Sequence, residues 1–170
     1  GGTVLSRSIP TAGIRMDAVL VDFIKHDHNM LIGDRMAEDI KIDWGAALPV
    51  AEERKVVVRG RDLITGLPQT AEISSNRFYE ALRGPCLMIL ETIREVLDKT
   101  PPELCGDILR KGIYLMGGGA QLYGLDRFLA SELGLPITLA RDPMLTAAAG
   151  VGNMADNSEI LHRLTRANFM

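Results

Sequence analysis

Apolar residues recur along this chain in two periods, and the changes of period divide it into elements. Residues 3–9 alternate around Val4 and Leu5 and predict a short strand. Gly13 breaks it, and Met16, Val19, Leu20, Phe23 and Ile24 then fall on one helical face. The stretch His26-Asp27-His28-Asn29 predicts an interruption, after which Asp34 caps a second helix running to about Ile42. Pro49 closes that region. Residues 55–59 and 70–73 are rich in β-formers and flank a Gly66-Leu67-Pro68 turn, which predicts a hairpin. Leu82, Cys86, Ile89, Leu90, Ile93, Val96 and Leu97 predict a long helix after Ser74-Ser75, kinked near its start by Pro85.

The last third changes character. Residues 113–116 form a short, wholly apolar strand, followed at once by Gly117, Gly118 and Gly119. A helix from about Gln121 turns Leu122, Leu125, Phe128, Leu129 and Leu133 inward, Gly134 ends it, and residues 136–139 form the next strand. Strand, helix and strand in so short a span predict a βαβ unit with parallel strands. Asp142-Pro143 predicts one more helix, with Asp142 as its N-cap and Pro143 at its first position.

In a βαβ unit ligands sit beyond the carboxyl ends of the strands. The glycine run occupies that place, and Asp142 follows the neighbouring strand. Three glycines leave bare backbone against which a flat ligand can lie. The spacing is neither GxGxxG nor GxxxxGK[ST], so neither the dinucleotide nor the P-loop mechanism applies. Spacing alone leaves a ligand loop and a tight packing turn equally open. Glu38 and Lys41 are a second candidate pair, three apart on one helical face. A carboxylate there can accept from ribose hydroxyls while the Lys stem lies along a purine; an ordinary surface ion pair explains the spacing as well.

Composition narrows the class without choosing the function. The 170 residues, 46% apolar and 24% charged, suit about one globular domain. With 19 basic and 22 acidic residues the net charge is −3, which gives no footprint for nucleic acid. No apolar run approaches the ~18 residues of a membrane helix, and the first residues do not form a signal peptide. Cys86 and Cys105, outside any CxxC spacing, read as buried free thiols in a reducing cytosol. His26 and His28 lack a third ligand and read as solvated rather than metal-binding. From Asn157 onward, Leu161 and Leu164 among Arg163 and Arg166 predict at best a short amphipathic helix, too small for a membrane face.

The wording of these segments says more than their spacing. The run GIYLMGGGAQLYGLDRFLASELGLPITLARDP resembles the adenosine-motif region of MreB-like bacterial actins, the rod shape-determining branch of the actin-like ATPases. LIGDRMAEDIKI resembles a helix of that family, VVVRGRDLITGLPQTAEISSNRFYEAL its small-subdomain hairpin, and GGTVLSRSI with AGIRMDAVL the strand and helix after its second phosphate loop. The resemblance runs from Gly1 to about Ala155. It implies an α/β chain: an actin-like (ribonuclease H-like) large subdomain, about 1–30 and 86–155, with a small α+β subdomain inserted at about 31–85 and a tail at 156–170. The sheet would be incomplete, because two strands that precede residues 3–9 in the family have no counterpart here.

The resemblance also carries site residues. Gly117, Gly118, Gly119 and Ala120 match the loop lining an adenosine pocket, Glu38 and Lys41 the positions that embrace ribose and base, Gly13 a glycine near the phosphates, and Asp142 a residue at the pocket's edge. Met116 stands where the family has threonine and reads as packing. Ala12 and Ile14 replace a glycine and an acid on the phosphate side, and Trp44, without a counterpart, reads as a core residue between subdomains. The implied cofactor is ATP or ADP, with Mg²⁺ held mainly by parts outside this chain. The implied role is a subunit part of a nucleotide-dependent cytoplasmic filament that determines rod shape and guides cell-wall synthesis. Its partners would be further copies and the cell-wall elongation machinery, with membrane contact only through segments absent here. The phosphate loops and water-positioning acid of the family would lie upstream of Gly1, so the chain alone is expected not to hydrolyse ATP. A non-filamentous adenine-nucleotide module or chaperone-like remnant is the alternative, and a ligand-free interaction domain a third.

Overall fold

Met16, Leu20 and Ile24, spaced by four, bury one stripe of helix α1 (Gly13–His28) in the computed structural model, which describes residues 3–156. The expected interruption at His26-Asp27-His28 does not occur. The helix continues through all three and ends at Asn29, whose left-handed backbone (φ 49°) turns the chain. Helix α1 leads into a two-residue strand β1 (Met30–Leu31), which the sequence pattern did not reveal. Helix α2 (Asp34–Trp44) begins one residue earlier than a cap at Asp34 would require: Gly33 is the cap, and Asp34 lies in the first turn, where its charge suits the helix dipole.

The predicted hairpin is longer than its β-rich stretches. Strands β2 (Lys55–Asp62) and β3 (Pro68–Ser74) pair antiparallel from Lys55 opposite Ser74 to Arg61 opposite Pro68. Strand β1 adds to β2 on the other side, giving the order β1-β2-β3. Gly60 permits this third strand, since a Cβ there would lie 2.5 Å from the Leu31 carbonyl oxygen. Alternation on β2 buries Val56 and Val58 and exposes Val57. At the tip, Asp62 accepts the N–H groups of Ile64 and Thr65, both at 2.7 Å. The Thr65 N–H first and then that of Ile64 hold this carboxyl below its ordinary range, so its support of the turn is present above that range and lost as pH falls through the lowered value.

Helix α3 (Ser75–Asp98) starts at Ser74, whose hydroxyl accepts from the Asn76 N–H at 3.2 Å, and runs on through a buried Pro85. Its apolar stripe, with Phe78, Leu82, Cys86 and Leu90 at 1% exposure or less, is the spine of the core. Met16, Leu20 and Ile24 of α1 and Ile73 of β3 pack on it, and Leu125 and Leu129 join from the C-terminal third. Each such side chain contributes roughly 1.5–3 kcal/mol of burial. Helix α4 (Pro102–Lys111), also unforeseen, carries the overlooked signals of Pro102 at its first turn and Gly112 as its terminator.

The βαβ unit forms as expected in pairing. Strands β4 (Ile113–Leu115) and β5 (Ile137–Leu139) are parallel, with Ile113 opposite Ile137. The intervening helix starts later than Gln121. Residues Gly118–Gln121 form a 3₁₀ turn, and helix α5 (Leu125–Leu133) follows Gly124. The positive φ of Gly124, 74°, redirects the chain beside Leu48.

Two further expectations fail. Asp142 does not cap a helix: helix α6 spans Thr146–Ala155 and its cap position is Leu145. The Pro143 carbonyl is taken by the Gly117 N–H at 2.8 Å, which ties residues 142–145 into a turn on the glycine run instead of a first helical turn. Residues 3–9 form no strand, and no described strand pairs with them. Arg7 instead meets Glu95 of α3 at 3.4 Å, and Val4 is 62% exposed. The described sheets are thus one of three strands and one of two. Asn157 and everything after it, including the amphipathic helix expected there, lie outside the described residues, as do Gly1 and Gly2. No described helix is long and apolar enough to cross a membrane.

The two thiols differ, contrary to the sequence expectation. Cys86 is buried and Cys105 exposed. Burial pushes the Cys86 thiol up to about 11, leaving almost no thiolate near neutrality. A thiol reagent at pH 8 is expected to titrate one group rapidly in the folded chain and two in urea. Two fast equivalents without urea would place Cys86 outside the core.

Candidate functional site

Helices α1 and α2 pack against each other, and the start of α1 meets the last turn of α2. Gly13 opens α1, and Lys41 of α2 lies over it: a Cβ on Gly13 would come within 3.3 Å of the Lys41 Nζ. The Lys41 ammonium donates to Asp17 Oδ2 at 2.8 Å and points to the Gly13 carbonyl at 3.4 Å. Asp17 Oδ1 is also 2.8 Å away but off the hydrogen-bonding direction, so that oxygen remains without a hydrogen-bond partner. The ion pair expected between Glu38 and Lys41 is therefore replaced by one across helices. Glu38 is exposed and, among the described residues, forms no ion pair. Asp17 was missed in the sequence. Its only signal was its position one helical turn beyond Gly13, which has meaning only once α2 is known to lie alongside.

The third wall is the glycine turn. Gly117 adopts φ 87°, a conformation that favours glycine, and passes the chain from β4 into the 3₁₀ turn. Gly118 and Gly119 face α1 and α2 across an open cleft of about 730 Å³. Its lining joins Gly13, Glu38, Lys41, Gly118 and Gly119, residues separated by up to a hundred positions in sequence, with Asp17 beside them. Thr11, Ala12 and Ile14 complete the end at the start of α1. No side chain caps α1, so its first N–H groups remain available there, where a helix start favours an anion. Ile14, 88% exposed, stands at that mouth.

Three of the sequence candidates stand apart from this lining. Ala120 is turned inward and buried. Gly117 shapes the turn without lining the cleft. Asp142 is exposed, and its backbone carbonyl serves the Leu145 and Thr146 N–H groups at 3.0 and 2.9 Å. The turn that follows it touches the site through Met144, whose Sδ lies 3.0 Å from where a Gly118 Cβ would be. Met116 is 60% exposed, not the packing residue it was read as.

A second open cleft, of about 640 Å³, lies between the end of α2 and residues 46–54. Trp44, Ile42, Arg54, Gln121 and Tyr123 line it. Trp44 is half-buried and packs on the core, and the Ala47 N–H donates to the Tyr123 carbonyl at 2.8 Å to tie the two walls together. None of the sequence candidates lines this cleft. Among the described residues no group of three His, Cys, Asp or Glu side chains could hold a metal ion.

The comparisons with known proteins agree with one another. The family model described as MreB/Mbl protein matches residues 1–163. The cell shape-determining protein Mbl of Bacillus subtilis is 43% identical over 161 residues, which are 95% of this chain and 48% of that protein. The cell shape-determining protein MreB of Escherichia coli is 40% identical over 151 residues, 89% of this chain and 44% of that one. Among solved structures, MreB5 of Spiroplasma citri bound to AMPPNP superposes with a TM-score of 0.89 at 34% identity, covering 98% of this chain and 50% of the other. A MamK double helical filament matches with a TM-score of 0.77 at 22% identity over 92% of this chain and 49% of the other, a likeness of fold alone. The chain spans about half the length of these relatives. From its actin-like fold, and from a family match that runs nearly end to end, the chain belongs to the MreB/Mbl family.

Proposed function

We propose that this chain is the second-domain half of a filament-forming, cell shape-determining protein, and that the cleft between α1, α2 and the glycine turn takes the adenosine part of an adenine nucleotide. The observation that carries the reading is the convergence of Gly13, Glu38, Lys41, Gly118 and Gly119 on one cleft. Its volume lies within the range of small-molecule sites, roughly 300–1,000 Å³. The residues fit a nucleoside. Glu38 has a free carboxylate for ribose hydroxyls, Lys41 keeps an N–H for the base or sugar, and Gly118 and Gly119 offer a surface without side chains. The AMPPNP-bound MreB5 relative supports an adenine nucleotide as the ligand.

The division into a large subdomain, about 1–30 and 86–155, and a small one, about 31–85, belongs to this proposal. The small one would carry the three-stranded sheet and α2, and the large one β4, β5 and the glycine turn. Hydrolysis is assigned to the complete protein. Phosphoryl transfer is largely positioning and charge neutralisation, and among the described residues no group of three His, Cys, Asp or Glu side chains could hold a metal ion for it. Self-association into filaments, a cytoplasmic location and guidance of cell-wall synthesis are the finer parts of the proposal; the names of the relatives support its shape-determining role.

Sedimentation with electron microscopy tests the role. The complete protein is expected to pellet above a threshold concentration with ATP and to show filaments, while the 170-residue chain releases no phosphate above background. A complete protein that binds nucleotide yet stays monomeric at high concentration would favour the non-filamentous module instead.

A further inference from the structure

We infer that Asp17 is a positioning residue of the cleft: it neutralises the Lys41 ammonium beside Gly13, so that Lys41 serves the nucleoside as a directed donor and does not serve a phosphate as a free cation. The inference rests on the nucleotide reading above. Its geometric basis is a single contact unlike any other among the described residues. Lys41 and Asp17 are 16% and 19% exposed, whereas both side chains of every other described ion pair are at least 37% exposed. A pair so shielded is little screened by salt, and its charge-assisted hydrogen bond is of the stronger kind.

The Lys41 ammonium has three N–H bonds. One is given to Asp17 Oδ2 at 2.8 Å and a second points at the Gly13 carbonyl at 3.4 Å. One is left for a ligand. Because Asp17 neutralises the charge, Lys41 offers a nucleoside a directed donor rather than a free cation. Gly13, where α1 begins, is also where an anion would be drawn, and Lys41 already reaches it. Without the Asp17 charge, the flexible Lys stem is free to turn to a phosphate at that helix start. It is equally free to turn to Glu38 on its own helix face, which would occupy the ribose acceptor. Asp17 therefore decides which end of the nucleotide Lys41 serves.

Asp17→Asn keeps the shape and removes the charge, and Asp17→Glu keeps the charge. In the ligand-free chain, the acetylation rate of Lys41 read by peptide mass spectrometry is expected to rise several-fold in Asp17→Asn and to stay low in Asp17→Glu. Calorimetry is expected to show adenosine binding weakened about tenfold in Asp17→Asn but ADP binding weakened less. The preference for ADP over adenosine would thus widen and become more salt-dependent, with Asp17→Glu restoring most of the original ratio. A merely structural role would weaken both ligands equally. That result, or unchanged Lys41 labelling in a folded Asp17→Asn chain, overturns the inference. If the parent chain binds neither ligand while Asp17→Asn still exposes Lys41, the nucleotide reading falls, and this role of Asp17 with it. If the parent binds both and Asp17→Asn changes nothing, the inference alone falls.

Discussion

Gly112→Ala is expected to destabilise the chain by about 3 kcal/mol. Gly112 terminates α4 with φ 72° and delivers the chain straight into β4. A Cβ there would sit 2.0 Å from the Pro136 carbonyl oxygen, which is the acceptor for the Ile113 N–H at 2.9 Å. Two costs add: an L residue in left-handed backbone, about 1–2 kcal/mol, and an overlap with main chain that no rotamer relieves, about 1–3 kcal/mol. Relief of the overlap would pull β5 from β4 and disturb the strand that ends at the glycine turn. Urea melts of parent and variant measure it. With a slope of roughly 2 kcal/mol/M the midpoint should fall by about 1.5 M. An unchanged midpoint would mean that β5 does not pass so close to Gly112.

Gly118→Val should do the opposite, sparing the fold and damaging the site. Gly118 has no positive φ and a Cβ there would meet only Met144 Sδ, at 3.0 Å, the far end of a side chain that is 66% exposed and able to move. The branched carbons would stand in the cleft opposite Lys41. Adenine-nucleotide affinity is expected to drop at least about tenfold, or 1.4 kcal/mol, while the urea midpoint moves little. Unchanged affinity in a folded Gly118→Val chain would show that the nucleotide does not lie against the glycine turn.

The contrast between these two glycines bears on what the sequence could disclose. Periodicity found α1 and α3, because each buries an apolar stripe large enough to mark its period, while a cap signal, turn residues and short apolar runs marked α2, the hairpin and the parallel pair. It failed where a partner elsewhere decides the local structure. Residues 3–9 have strand-like alternation, but backbone hydrogen bonds to a neighbour make a strand, and none is present among the described residues. Strand β1 is two residues long and exists because β2 offers it an edge. Asp142-Pro143 reads as a helix start, yet the Gly117 N–H claims the Pro143 carbonyl. In each case a partner elsewhere in the fold, present or missing, overrode local propensity.

The site was legible in part for the same reason. Glycines and charged residues can be noted one by one, and the family wording groups them. What brings Lys41 to Asp17 rather than to Glu38 is the packing of α1 on α2, which no spacing within either helix encodes. Asp142 and Ala120 show the converse. Both stand beside the right loop in sequence, but one is exposed outside the cleft and the other points into the core.

The most direct test of the central claim is a ¹H–¹⁵N NMR titration of the chain with ADP. The cleft at Gly118 and Gly119 and the cleft at Trp44 share no lining residue, so each has its own reporters. Binding as proposed should shift the amides of Gly13, Glu38, Lys41, Gly118 and Gly119. The indole N–H of Trp44, the single tryptophan, should move little. Shifts confined to Trp44, Gln121 and Tyr123, with the five cleft amides unmoved at saturating ADP, would contradict the assignment of the nucleoside to the cleft between α1, α2 and the glycine turn.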